Sequence, residues 1–76
     1  MIIIKTIYTN SNFEFLVKSY KSRMDFSKKT GISINTIKAI LDKNVKPSID
    51  TLIKLNELFN ISLDDLVYKD LSSSEK

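Results

Sequence analysis

The chain has a single glycine, Gly31, and its position constrains the backbone more than any other residue. It follows an amphipathic stretch over residues 23–30. A helix ending there needs a terminal residue in the left-handed region, which glycine enters without steric cost. Two residues later Ser33 offers an N-cap hydroxyl to a second helix over 34–42, in which Ile37 and Ile40, with Leu41, mark the buried side. The outward side is then Ile34, Asn35, Lys38 and Asp42. Pro47 cannot continue a helix, so a loop containing Lys43, Asn44 and Lys46 must follow.

The same signals divide the rest of the chain. Residues 2–9 are β-branched and aromatic without helix signals, which predicts a short strand. Ser11, Asn12, Phe13 and Glu14 form a capping-box pattern, and Phe13, Leu16, Val17 and Tyr20 fall on one helical face, predicting a helix over about 12–21. Ser22 and Asp25 repeat the cap for the helix over 23–30. Ser48 with Asp50 starts a fourth helix over 49–59, whose buried face is Ile49, Leu52, Ile53, Leu55 and Phe59. Ser62 caps a fifth over 63–67, with Asp64 and Asp65 in its first turn and Leu63 and Leu66 turned inward. A lone strand edge leaves its amides unpaired in water. The expected partner of the N-terminal strand is the segment 66–70, antiparallel to it. Residues 72–76 have nothing to bury and are expected to form a disordered tail.

Composition narrows the chemistry. Seventy-six residues make one domain, with little surface to bury, so dimerisation would help. There is no cysteine and no histidine, which excludes disulfides, thiolate nucleophiles, the usual zinc sites and histidine acid-base catalysis. No enzyme, cofactor or metal is expected. The adjacent carboxylates Asp64 and Asp65 are better explained as complements to a helix dipole than as a catalytic pair. The apolar start at residues 1–4 is far shorter than a signal-peptide core or the ~20 residues of a membrane span, so the expectation is a cytoplasmic protein. The net charge of +3 is unevenly spread. Residues 1–46 carry nine basic and three acidic side chains, and residues 47–76 carry three and six. A positive N-terminal half opposed to a negative C-terminal half would orient the molecule on a polyanion.

One ordered set of residues resembles a known family. It comprises Phe26, Ser27, Lys28, Lys29, Thr30, Gly31, Ile32, Ser33, Ile34, Asn35, Thr36 and Ile37, then Lys43, Asn44, Val45, Lys46, Pro47 and Ser48, then Thr51 and Leu52, then Asn60, Ile61, Ser62, Leu63, Asp64, Asp65 and Leu66. In this order and spacing, over roughly residues 12–67, they resemble the Cro and lambda-repressor class of helix-turn-helix regulators. The resemblance implies a mainly α, five-helix DNA-binding fold over residues 1–71. The helix over 34–42 would be the recognition helix, which enters the major groove of double-stranded DNA.

Four departures stand out against that family. Arg23 replaces a usual Gln that touches the DNA backbone and buttresses the recognition helix, and Arg does the second job differently. Phe26 and Ser27 replace a Leu-Ala pair but keep one large and one small residue at the helix crossing. Leu41 stands where an acidic residue is common, so an ion pair typical of the family is expected to be missing. Lys21 takes a normally apolar position.

On this reading the base-reading residues are Ile34, Asn35, Lys38 and Ala39. Asn35 matches adenine in two hydrogen bonds, Ile34 packs on a thymine methyl, Lys38 reaches guanine acceptors or a phosphate, and Ala39 offers at most a methyl contact. Phosphate contacts fall to Arg23, Ser33, Thr36, Lys43, Asn44 and Lys46. Lys28 and Lys29 read better as a solvated helix face. The implied role is a small transcriptional regulator, a repressor of a phage or other mobile element, acting as a homodimer on a near-palindromic operator, with no small-molecule ligand and no membrane. The rival reading is a protein-interaction module, or an antitoxin, in which the same fold binds a partner protein. Ile34, Ala39 and Leu41 make the reading surface less polar, as that rival predicts, and the surrounding lysines oppose it.

Overall fold

A computed structural model describes residues 7–72. Five helices follow one another: α1 (Thr9–Lys18), α2 (Arg23–Thr30), α3 (Ile34–Asp42), α4 (Ile49–Phe59) and α5 (Leu63–Tyr68). None of them is long and apolar enough to cross a membrane.

Four of the five helices start on a serine. The hydroxyls of Ser22, Ser33, Ser48 and Ser62 accept hydrogen bonds from the backbone N–H groups of Asp25, Thr36, Thr51 and Asp65, at 3.0, 3.2, 3.3 and 3.1 Å. Each satisfies one of the amides a helix start leaves unpaired. Two ends are equally defined. Gly31 closes α2 at φ 79°, with its N–H bonded to the Ser27 carbonyl, and Asn60 closes α4 at φ 55°. A methyl group added at Gly31 would meet nothing within 4 Å, so a substitution there costs backbone strain alone. Gly31→Ala should therefore destabilise the fold by about 1 to 2 kcal/mol, read as a lowered urea midpoint with an unchanged m-value.

The helices enclose a core of Phe13, Leu16, Val17, Phe26, Ile32, Ile37, Ile40, Leu55 and Leu66. At its centre is Phe26, with no exposed surface. Its ring meets Phe13 and Tyr20 edge-on at centroid distances of 5.6 and 5.1 Å and stacks on Phe59 at 6.3 Å. One side chain from the start of the motif thus meets aromatic rings contributed by α1, α4 and the loop after α1. The platform under α3 is built this way.

Three expectations need correction. First, helix α1 runs Thr9–Lys18, three residues earlier than the predicted 12–21, and its N-cap Tyr8 makes no side-chain cap bond. The capping box at residues 11–14 does not form, because the helix has already begun at Thr9 and Ser11 lies inside it; Asn12, next along, is 1% exposed and bonds the far end of the chain. Its Nδ2 donates to the carbonyls of Leu66 and Lys69 at 2.7 and 2.6 Å, and its Oδ1 accepts from the Leu71 N–H at 2.9 Å. At the far end, Ser19 returns its hydroxyl to the Leu16 carbonyl at 2.6 Å, and Tyr20 swings into the aromatic cluster.

Second, the predicted strand pairing does not form among the described residues. Residues 2–6 of the proposed strand, and residues 73–76 of the expected tail, lie outside them. Thr9 is helical, as are residues 66–68 of the proposed partner. The two segments nevertheless meet: the Tyr8 N–H donates to the Val67 carbonyl at 2.7 Å, and Asn12 supplies the remaining links.

Third, the buried face of α4 is shifted from the predicted one: Leu52, Leu55 and Phe59 belong to it, and Ile49 and Ile53 do not. Thr51 and Leu55 point inward with Leu52 and Phe59 beside them, whereas Ile49 and Ile53 are exposed, Ile49 by 62%. Leu63 is also exposed, as the first residue of α5.

Candidate nucleic-acid interface

Helix α3 is held at both ends and along its buried side. Ser33 fixes its start and bonds its hydroxyl to the Thr36 hydroxyl at 2.9 Å. The buried Ile37 and Ile40 anchor it to the core, with Ile34 and Leu41 packed at the margins. At its end the N–H groups of Lys43 and Val45 both donate to the Ala39 carbonyl at 3.1 Å. Asn44 takes the left-handed conformation at φ 56°, turning the chain sharply. Asn10 on α1 then holds the following loop, since its Nδ2 donates to the Val45 carbonyl at 2.8 Å. Pro47 is buried and fixes the loop's far side.

The ten residues expected at the interface differ in how the fold holds them. Asn35 and Lys38 are exposed on α3, with no hydrogen bond or ion pair to the rest of the described residues. Lys43, Asn44 and Lys46 are exposed in the loop that follows. Ile34, Thr36 and Ala39 are half-buried, and Ile34 spends part of its side chain on the core, so only its outer atoms face solvent. The Ser33 and Thr36 hydroxyls bond each other and the helix start.

Arg23 differs from the rest. It sits at the first position of α2, and its two terminal nitrogens meet the two carboxylate oxygens of Asp42, each at 2.9 Å. The pair ties the beginning of α2 to the end of α3 in a bidentate fork. The hydrogen bond from Arg23, together with its charge, holds the Asp42 carboxyl below the ordinary carboxylate range and raises Arg23 in turn. Both are charged at neutral pH. An ion pair therefore does brace α3, carried by Asp42 rather than by position 41. Sequence reading missed it by one residue. The available signal was two opposite charges at the first position of α2 and the last of α3. Both side chains remain open to water, with 41% and 53% of their surfaces exposed.

Beside Arg23 a shallow cleft of about 280 Å³ opens between α1 and the start of α2, with Lys18, Lys21 and Glu14 on its walls. Glu14 pairs with Lys18 at 3.2 Å, so Lys21 is the cation there that no carboxylate holds among the described residues.

This geometry has a counterpart among known families. The model described as helix-turn-helix matches residues 14–66, from the middle of α1 into α5. The chain belongs to this helix-turn-helix family, of the Cro and lambda-repressor type. No curated protein and no solved structure matches it significantly. Helix-turn-helix proteins of this class are DNA-binding transcription regulators, and α2, the Gly31 bend and α3 are the unit that defines them. Asp64 and Asp65, the one adjacent carboxylate pair, lie in the first turn of α5, where the dipole favours negative charge.

Proposed function

We propose that this helix-turn-helix protein is a small repressor of a phage or other mobile element. It binds a near-palindromic operator in double-stranded DNA as a homodimer, with residues 1–71 forming one DNA-binding domain. The observation that carries the proposal is an α3 surface on which Asn35 and Lys38 are exposed, with Lys43, Asn44 and Lys46 at its end and Arg23 beside it.

In this reading α3 lies in the major groove, which admits one helix. Asn35 reads adenine through paired donor and acceptor atoms. The outer atoms of Ile34 meet a thymine methyl, Ala39 adds a methyl contact, and Lys38 takes a guanine acceptor or a phosphate. Arg23, Ser33, Thr36, Lys43, Asn44 and Lys46 set the register on the phosphates. With about five phosphates engaged per subunit, the log-log slope of affinity against salt is on the order of −4 to −5 for each half-site. A single subunit reads too few base pairs to compete against a genome of nonspecific sites. Two-fold symmetry doubles the footprint and spaces the recognition helices about 34 Å apart.

Selection of bound duplexes from a random pool tests the proposal. A palindrome with A/T-rich half-sites is the expected product. Asn35→Ala should then relax the preference at one base position by about 1 to 3 kcal/mol while leaving affinity for random duplex nearly unchanged. Equal weakening on every duplex would remove Asn35 from base reading. Failure to bind any duplex at low salt would favour a partner protein as the ligand.

A further inference from the structure

The Arg23–Asp42 fork occupies the one arginine on the proposed DNA-binding face with a carboxylate of the same chain. A guanidinium presents a rigid, planar pair of donors, and a phosphate matches that pair as well as a carboxylate does. We infer that Asp42 is an intramolecular stand-in for a DNA phosphate, so that Arg23 engages the duplex only by exchanging one anion for another. The inference rests on the DNA-binding reading above and adds an affinity-setting residue to it.

Three features support the exchange. Both side chains are about half exposed, so an incoming phosphate reaches the pair without any movement of backbone. Lys21, which shares the cleft beside Arg23, adds positive charge on the approach path. Asp42 is the last residue of the recognition helix itself, so its charge moves with the surface that must approach the duplex. While the fork is closed, Arg23 adds no net positive charge. When it opens, the energy of the new contact is offset by the loss of the old one, and Asp42 is left facing polyanion. Nonspecific attraction, which depends on the count of free cations, is held down by one per subunit.

The test is a double-mutant cycle on the full chain, using Asp42→Asn, Arg23→Gln and both together. Affinity for a random-sequence duplex is measured between about 50 and 200 mM salt, after circular dichroism shows that each variant keeps its helix content. Asp42→Asn frees Arg23, so the log-log slope should steepen by about 0.9 for each subunit engaged. Affinity near 0.1 M salt should rise roughly eightfold for each subunit engaged, the counterion-release value of one further phosphate contact. In the Arg23→Gln background the same substitution should leave the slope unchanged. An equal slope change in both backgrounds would mean that Asp42 acts as a bare charge, through Lys38 or at long range, and overturns the exchange. An unaltered slope in Asp42→Asn alone overturns it as well. If the unsubstituted chain binds no duplex, the proposed function itself fails and the exchange fails with it. Binding by the unsubstituted chain with a flat cycle removes only the exchange.

Discussion

Phe26→Ala should lower the unfolding free energy by about 3 to 5 kcal/mol, the range for truncating a fully buried phenylalanine. A small domain has only about 5 to 15 kcal/mol in total, so the variant is expected to sit close to its unfolding midpoint. Phe26 meets Phe13, Tyr20 and Phe59, and the cavity left by its ring would lie between helices that cannot all collapse into it. Urea denaturation followed by circular dichroism measures the loss. The effect should reach DNA binding too, because this ring sits in the helix that supports α3. A loss below about 1.5 kcal/mol, the range of volume-conserving core swaps, would mean that the aromatic cluster is looser than the ring geometry implies.

Asn12→Ala is expected to have the next largest effect, for a different reason. The substitution removes little apolar surface but leaves the Leu66 and Lys69 carbonyls and the Leu71 N–H without their partner. Stranding a buried polar group costs about 1 to 3 kcal/mol; the Leu66 bond is buried and those to Lys69 and Leu71 are half-buried, so together they put the cost in the upper half of that range. Thermal unfolding should shift down by roughly 10 to 20 °C, at about 4 to 8 °C per kcal/mol for a chain of this size. Asn12→Asp distinguishes the bonds from the side-chain volume. It keeps the acceptor for Leu71 but points a carboxylate at two carbonyl oxygens, so it should be at least as damaging as alanine. An aspartate variant as stable as the original would show that the donor half of the amide does nothing.

What could be read from the sequence was whatever depends on neighbouring residues. The serine caps at 22, 33, 48 and 62 and the left-handed Gly31 are each set within about four residues. They placed α2, α3 and the start of α4 and α5 where the structure has them. Helix α1 was misplaced because the Ser11–Glu14 pattern imitates a cap locally, while Asn12 beside it has its partners more than fifty residues away in the chain. The exposed Ile49 and Ile53 misled for a related reason: hydrophobic spacing gives a helix an apolar stripe without saying which edge of it the neighbours cover. At the interface, the exposure of Asn35 and Lys38 follows from the period of α3, and the lysine loop from Pro47. Ile34 is divided between core and surface, a division set by packing. The Arg23–Asp42 fork needed knowledge of how α2 and α3 cross, which no local pattern contains.

The division of labour within α3 also bears on how such a protein can diversify. Ser33 and Thr36 set its start and Ile37 and Ile40 hold it down, while Asn35 and Lys38 serve neither purpose. Under the base-reading role proposed for them, mutations at those two positions would retarget a descendant to a different control sequence at little stability cost, so lineages carrying this scaffold could part company in the genes they govern while remaining superimposable.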